Sequence, residues 1–303
     1  MSKRVLVTGA AGFTGRYLVA ALANAGHHVT GLVQRAPAQP VEGASDLIEC
    51  ELGDPAGLSR ALDSARPQWV AHLAAIAFVA HGDADAMYQT NLLGTRHLLE
   101  ALSQQSSSAV ESVLLASSAN IYGNATEGVL DESTPPAPAN DYAVSKLAME
   151  YLARLYAGRL PLIVTRPFNY TGVGQAESFL LPKIVAHVRQ RAPVVELGNL
   201  HVARDFSDVR MVVEAYVRLL QTPSAVGETF NVCSGVAYTL DEVLALVRAI
   251  SGHDFEVRVN PAFVRQNEVK TLLGSRARLE NCVGPLTGFE LRDTLQWMLD
   301  APQ

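Results

Sequence analysis

No run of about 18 consecutive apolar residues occurs in this 303-residue sequence, so nothing in it reads as a membrane-spanning helix. Excess positive charge is also missing. The 24 Lys and Arg are outnumbered by 30 Asp and Glu, and a net charge of −6 argues against nucleic acid or an anionic membrane as a partner. A phosphate-bearing ligand would have to be held by local cations. Cysteine is scarce: Cys50, Cys233 and Cys282 are odd in number and far apart. That pattern builds neither a disulfide framework nor a metal site, and it reads as reduced thiols of a cytoplasmic protein. The first apolar segment, Val5–Val7, has the length of a strand belonging to the fold, and no signal peptide is expected. Internal repeats and low-complexity tracts are not visible.

What is present is a globular composition. Apolar residues make up 49% and charged residues 18%, which at this length supports one large domain or two ordinary ones. Up to residue 167, strand-like and helix-like segments alternate. Arg4–Thr8, His28–Val33, Leu47–Glu51, Trp69–Leu73, Ser112–Ala116 and Leu162–Arg166 are the expected strands. Gly15–Ala25, Pro55–Ala65, Met87–Gln105 and Tyr142–Tyr156 are expected helices. Such alternation predicts an α/β fold, a doubly wound parallel sheet with helices on both faces. After Pro167 the pattern loosens, with helices expected at Asp208–Leu220 and Leu240–Ile250 and a short strand near Thr229–Val232. The expected division is a larger domain of 1–167 plus about 208–225, and a smaller α/β domain of 168–207 and 226–303.

Two local patterns carry chemistry. The first strand runs directly into Gly9-Ala-Ala-Gly12-Phe-Thr-Gly15, and an apolar helical pattern follows through Tyr17, Leu18, Ala21, Leu22 and Ala25. Glycines there permit a tight turn and a close approach of backbone to a pyrophosphate, while the helix N-terminus offers N–H groups and positive dipole. The spacing departs from the usual Gly-x-Gly-x-x-Gly of a dinucleotide site. In the second pattern, Tyr142 and Lys146 stand four residues apart, one turn along the same helix face. An ammonium beside a phenol favours the phenolate over its ordinary pKa of about 10, which makes Tyr142 a candidate proton donor and acceptor.

Further segments follow in order: His72-Leu-Ala-Ala75, Asn91-Leu-Leu-Gly-Thr95, Ser117-Ser-Ala-Asn-Ile-Tyr-Gly123, Arg166-Pro-Phe-Asn169 and Arg204-Asp-Phe-Ser-Asp208. Together they resemble the extended, nucleotide-sugar-modifying branch of the short-chain dehydrogenase/reductase superfamily, from Val5 to about Leu299. The resemblance implies that the larger domain is a dinucleotide-binding Rossmann domain and the smaller one binds a nucleotide sugar. It implies Tyr142 as proton donor, Lys146 as the residue gripping the nicotinamide ribose, and Ser118 as donor to the substrate oxygen. Ser117 is the competing serine, and either could cap the following turn. The implied cofactor contacts are Gly9, Gly12, Phe13, Thr14 and Gly15, Asp54 near the adenine, and Leu73, Ala74 and Ala75. His72 reads as a packing and hydrogen-bonding residue rather than a ligand or base.

The second strand ends Gly31-Leu-Val-Gln-Arg35, without the carboxylate of NAD-binding members. Gln34 cannot repel a 2′-phosphate and Arg35 can pair with one, which favours NADP(H), with NAD(H) as the alternative. An Arg35 that merely faces solvent is the competing reading. Leu197-Gly-Asn-Leu200, Gly172-Val-Gly-Gln175 and Asn260-Pro-Ala-Phe-Val-Arg265 resemble members acting on GDP-mannose derivatives, above all the GDP-4-keto-6-deoxy-D-mannose reductases. That resemblance implies substrate contacts from Ser118, Asn120 and Tyr142. It also implies diphosphate contacts from Asn169, Lys183, Arg204 and Arg265, and a nucleotide-ribose contact from Glu268. The implied reaction is NADPH-dependent reduction of the 4-keto group to a GDP-6-deoxyhexose of rhamnose or talose configuration. A 4-epimerase holding NAD tightly and a non-catalytic dinucleotide-binding regulator are the alternatives. An intact Ser118, Tyr142 and Lys146 argues against the regulator.

Dehydratases of this branch carry an acid/base carboxylate pair between the serine or threonine and the tyrosine of the Ser-x-x-x-Tyr motif. Here those positions hold Ala119, Asn120 and Ile121, none of which moves a proton near neutral pH. A substrate already oxidised at C4 is therefore expected, unless Glu127 or Asp131 in the following loop substitutes. Relatives pair the helices equivalent to 87–105 and 142–156 across a two-fold axis, which implies a homodimer. Leu92, Leu93, Leu98 and Leu99 on the first and Leu147, Met149, Leu152 and Leu155 on the second would supply its apolar surface, unless the protein's own sheet covers them.

Overall fold

Val5, Leu6 and Val7 are all buried, as are Val70 and Ala71 and the run Val113, Leu114 and Leu115. Strands buried on both faces are those of a parallel sheet with helices on each side. The computed structural model describes residues 1–77, 83–105, 110–123, 128–200, 202–264 and 270–302. The chain runs β1 (Arg4–Thr8), α1 (Phe13–Asn24), β2 (His28–Val33), β3 (Asp46–Glu49), α2 (Pro55–Ala65), β4 (Trp69–His72), α3 (Ala84–Tyr88), a π-helical stretch Gln89–Gly94, and α4 (Thr95–Ser103). It continues through β5 (Ser112–Ala116), β6 (Val129–Leu130), α5 (Asp141–Arg154), β7 (Leu162–Pro167), β8 (Asn169–Thr171), α6 (Leu180–Arg189), β9 (Val194–Leu197) and β10 (Ala203–Asp208). Last come α7 (Val209–Gln221), β11 (Thr229–Val232), β12 (Ala237–Thr239), α8 (Leu240–Ser251), β13 (Glu256–Val259), β14 (Thr271–Gly274), α9 (Ala277–Val283) and α10 (Leu291–Asp300).

The large sheet has seven strands in the order β11-β7-β5-β4-β1-β2-β3, paired in parallel throughout. The chain moves outward from β1 through β2 and β3, then crosses back to β4 on the other side of β1. That reversal opens a crevice beyond the carboxyl ends of β1 and β4, where ligands of doubly wound sheets bind. Side chains alternate along β1. Val5 and Val7 pack with Leu18 and Leu22 of α1 and Val212 and Leu219 of α7. Leu6 packs on the opposite face with Leu58 and Leu62 of α2, Leu98 and Leu99 of α4 and Met149 of α5. Each fully buried Leu or Val contributes about 1.5–3 kcal/mol relative to exposure.

A second sheet is ordered β12-β10-β14-β6, with β8 also pairing β10, and β9 pairs β13 separately. Leu181 and Ile184 of α6, Val243 and Leu244 of α8 and Leu295 of α10 form the core beneath them. Two of the expected boundaries are corrected. β11 pairs with β7 in the large sheet, and Leu279 of α9 belongs to the core on the α1 and α7 face. The return to the larger domain therefore reaches Val232 and takes in 277–283, and 226–303 is not one unit of the smaller domain. The expected helix 87–105 instead starts at Ala84 and carries the π-helical stretch at its middle. Among the described residues no helix is long and apolar enough to cross a membrane.

Candidate active site

Thr8 ends β1 in register with Leu32 of β2 and His72 of β4, so the next residues emerge at the crevice. Gly9 turns there at φ +70°, a conformation that side chains strain, and its N–H donates to the Leu32 carbonyl at 3.1 Å. A Cβ on Gly9 would also stand 2.9 Å from the Ala74 backbone. Gly12 caps α1 with no side chain, which leaves the first-turn N–H groups free of a side-chain partner. They border a cavity of about 480 Å³ whose wall includes Gly9, Gly12, Phe13, Thr14, Gly15, Leu73 and Ala75. Bare backbone donors and a helix dipole at the mouth of a cavity fit the pyrophosphate of a dinucleotide. Ala74 is set back from that wall, its N–H donating to Thr8 Oγ1 at 3.2 Å.

A second cavity, of about 290 Å³, is lined by Gly9, Ala11, Gly12, Val33, Gln34 and Arg35. Arg35 is exposed and borders it, beside Gln34 and with no acidic side chain in the lining. Asp54 lies on neither wall; it pairs with Arg60 at 3.7 Å near the start of α2.

Ser117, Ser118, Asn120, Tyr142, Lys146 and Asn169 share the larger cavity with the glycine turn. Ser118 follows β5 with extended backbone, and its hydroxyl accepts from the Asn120 N–H at 3.2 Å. α5 is started by Asn140, whose side chain accepts from the Ala143 N–H at 2.9 Å, and this places Tyr142 in its first turn. The Ser118 hydroxyl lies close enough to Tyr142 to favour its phenolate. Ser117 also reaches the cavity wall, but its hydroxyl finds no protein partner. Of the two serines, Ser118 is the one that acts on the phenol.

The expected lowering of the Tyr142 pKa by Lys146 is not realised. Dense protein around the phenol, with Tyr170 close by, raises the pKa above 10, and only the nearby Ser118 hydroxyl opposes this. The Lys146 ammonium is turned to the strand, where it donates to the Ala116 carbonyl at 2.7 Å. Burial lowers the Lys146 pKa to about 8, partly opposed by Glu150. Glu150 is itself held by Arg166 at 2.7 Å, both side chains being nearly inaccessible. The site is thus a neutral phenol, a hydroxyl beside it, and a buried amine poised to titrate above neutrality.

The expected substrate residues divide. Asn169 is on the cavity wall with its Nδ2 buried and without a protein partner, which suits a ligand donor. Asn120 also lines it. Lys183 and Arg204 lie off that wall. Lys183 donates to the Glu196 carbonyl at 2.8 Å and stands 3.9 Å over the Phe263 ring, and Arg204 donates to the Ala203 carbonyl at 2.9 Å. Arg265, Glu268 and the loop carboxylate Glu127 lie outside the described residues. Asp131 is bonded to Ser133, its Oδ1 accepting from that residue's N–H at 2.9 Å, and does not line the cavity.

Two tyrosines on the wall were not anticipated. Tyr170 stacks on Phe13 at 6.1 Å and shares a hydrogen bond of 2.8 Å with Thr14, joining the glycine turn to β8. Its position directly after Arg166-Pro-Phe-Asn169 is the only sequence signal. Tyr216 of α7 looks like an ordinary core residue of an amphipathic helix. Its hydroxyl faces Thr165 without forming a hydrogen bond of normal geometry. Among the described residues no cluster of His, Cys, Asp or Glu could hold a metal ion.

The sequence profile of the NAD dependent epimerase/dehydratase family matches residues 5–233. A GDP-6-deoxy-D-mannose reductase of Pseudomonas aeruginosa is 36% identical over 99% of this chain and 97% of its own length. A GDP-6-deoxy-D-talose 4-dehydrogenase of Aggregatibacter actinomycetemcomitans is 32% identical over 93% of this chain and 91% of its own. Among solved structures, a Burkholderia cenocepacia protein described only provisionally as an epimerase superimposes with a TM-score of 0.92 at 52% identity, over 99% of this chain and 97% of that one. RMD from Pseudomonas aeruginosa, complexed with NADPH, gives a TM-score of 0.84 at 33% identity, over 98% of each chain.

Proposed function

The chain belongs to the NAD dependent epimerase/dehydratase family, the extended short-chain dehydrogenases/reductases, and from that premise we propose that it reduces the 4-keto group of a 4-keto-6-deoxy nucleotide sugar with NADPH. GDP-4-keto-6-deoxy-D-mannose is the favoured substrate and a GDP-6-deoxyhexose the product. The observation that carries this reading is a protonated Tyr142 phenol, with Ser118 beside it, on the same cavity wall as the bare glycine turn. When bound, NADPH supplies the hydride. Tyr142 gives its proton to the carbonyl oxygen as that oxygen gains charge, and Ser118 donates a hydrogen bond to it. Lys146, charged below about pH 8, would hold the ribose hydroxyls. Asn169 offers its unpartnered Nδ2 to the sugar nucleotide. Arg35 beside a cavity without acidic lining supports NADPH over NADH, since a guanidinium pairs with a 2′-phosphate. The names of the two GDP-6-deoxy-sugar relatives support the base and the 6-deoxy sugar.

Reduction of an existing ketone, rather than its creation by dehydration, is supported by Ala119, Asn120 and Ile121 following Ser118. Incubation with GDP-mannose and NADP⁺ should leave the sugar unchanged; accumulation of a 4-keto-6-deoxy product would overturn this part of the reading.

We also propose a homodimer through α4 and α5. Of the leucines and methionine expected at that surface, Leu98, Leu99 and Met149 are in the protein's own core, and Leu147 and Leu152 pack against it. The stripe left facing outward on α5 is Val144, Tyr151 and Leu155, at 39%, 54% and 73% exposure. Their spacing puts them on one helix face, an apolar surface that a second copy would cover. Light scattering should give twice the monomer mass; a monomer at micromolar concentration would contradict it.

A further inference from the structure

A line of buried hydrogen bonds runs from the dinucleotide turn to the catalytic helix, and it passes through His72. This ring closes β4 with 2% of its surface exposed. Its Nδ1 lies 2.7 Å from Thr8 Oγ1 and its Nε2 2.9 Å from Thr95 Oγ1. The protons follow from their neighbours. Thr95 gives its one hydroxyl proton to the Asn91 carbonyl at 2.8 Å, so it accepts from Nε2–H. Nδ1 is then bare and accepts from Thr8, whose oxygen receives the Ala74 N–H at 3.2 Å. Every group in the line is satisfied by one neutral tautomer, and burial beside Lys146 keeps the ring neutral by lowering its pKa to about 3.

Both ends of the line reach the site. The Ala74 backbone is the surface on which the Gly9 turn rests, 2.9 Å from where a Cβ of Gly9 would be. At the other end the Asn91 amide accepts from the Ile76 N–H at 2.8 Å and donates to Ser145 Oγ at 3.0 Å. Ser145 in turn donates to the Tyr142 carbonyl at 2.8 Å. An apolar ring of the same size would fill the space and leave the Ala74 turn and the Asn91 segment unjoined.

We infer that His72 is a positioning residue, which fixes the dinucleotide turn relative to the Tyr142 helix through a neutral imidazole that accepts at one end and donates at the other. The inference rests on the dinucleotide reading of the cavity given above. It is tested by NADPH dissociation constants from fluorescence titration, with Tm recorded on the same samples, for the wild type, Thr8→Val, His72→Phe and His72→Asn. Asparagine places its amide oxygen near the position of Nδ1 and keeps the Thr8 bond. Thr8→Val preserves shape and removes the link at the turn, so it reports even if His72→Phe does not fold.

Well below each Tm, Thr8→Val, His72→Phe and His72→Asn should each weaken NADPH binding about tenfold, since asparagine keeps the Thr8 bond but does not reach Thr95. Wild-type affinity in folded His72→Asn would overturn the link between the two ends. Lowered Tm with unchanged NADPH affinity in the folded Thr8→Val and His72→Phe proteins would make His72 a packing residue and overturn the inference. A wild type that binds no NADPH would overturn the dinucleotide reading first, and this inference with it.

Discussion

At Tyr142 burial and hydrogen bonding compete, and burial wins. The phenol keeps its proton through neutral pH because the protein around it disfavours the phenolate more than Ser118 stabilises it. Replacing Tyr142 with Phe should leave NADPH affinity nearly unchanged and lower turnover roughly a hundredfold or more. Turnover close to wild type in stopped-flow assays would remove Tyr142 from the chemistry. Lys146 sets the alkaline side. Its folded pKa of about 8 lies below the roughly 10.4 of a free lysine, so on raising pH the folded protein releases this proton before the unfolded chain does. Between those values the unfolded chain binds more protons, and the penalty of burying the charge, present in full below about pH 8, is relieved as pH rises. On the proposed mechanism activity runs the other way, because it is the ammonium that would hold the ribose. A plot of kcat/KM should fall along a limb with an apparent pKa near 8, and a flat profile to about pH 10 would contradict a charged Lys146. That Ser118, Tyr142 and Lys146 would meet at one cavity was legible in the sequence because each sits in a local motif. The direction of the Tyr142 shift was not, since it depends on where the Lys146 amine points and on Tyr170, neither visible from spacing. Tyr216 was hidden for a related reason: a core face and a cavity wall look alike on an amphipathic helix.

α5 carries Tyr142 at one end and is anchored near the other by Glu150. That carboxylate accepts from Arg166 of β7 at 2.7 and 3.0 Å, and the same guanidinium donates to the Tyr122 hydroxyl at 2.9 Å. The Tyr122 hydroxyl in turn donates to Asn231 of β11 at 2.7 Å. Removing one partner of such a pair strands the other charge in the core. Glu150→Ala should destabilise the fold by about 3–5 kcal/mol in urea unfolding, and a loss below about 1 kcal/mol would mean that water reaches the site. The strands of the large sheet were legible because doubly buried strands are short apolar runs between turn residues. The π-helical stretch was not, because one extra residue within a turn barely disturbs the apolar pattern over 84–103. It matters nonetheless, since it contains Asn91, whose amide holds Ile76 and Ser145. The domain of β11 is not legible, because Thr229–Val232 pairs with a strand more than 60 residues earlier and nothing local records that partner.

On the scale of the whole chain, the cavity lies where the two sheets meet. The large sheet brings the glycine turn, β5 and α5 to it, and the segment from Asn169 through Leu181 brings the side expected to hold the sugar nucleotide. A net charge of −6 gives no general attraction for a diphosphate, so binding must come from the helix N-terminus and a few placed cations. Fold class and family were legible because their motifs occur in order along most of the chain. Which cations face the ligand was not, because Lys183 and Arg204 are drawn to backbone carbonyls of their own surroundings. The central claim is net reduction of a ketone at this cavity. Its most direct test is to mix the purified protein with NADPH and GDP-4-keto-6-deoxy-D-mannose, following reduced-nicotinamide absorbance while NMR identifies the sugar. One NADPH oxidised for each 6-deoxyhexose formed is the predicted result; a rearranged sugar with no net consumption of NADPH would contradict it.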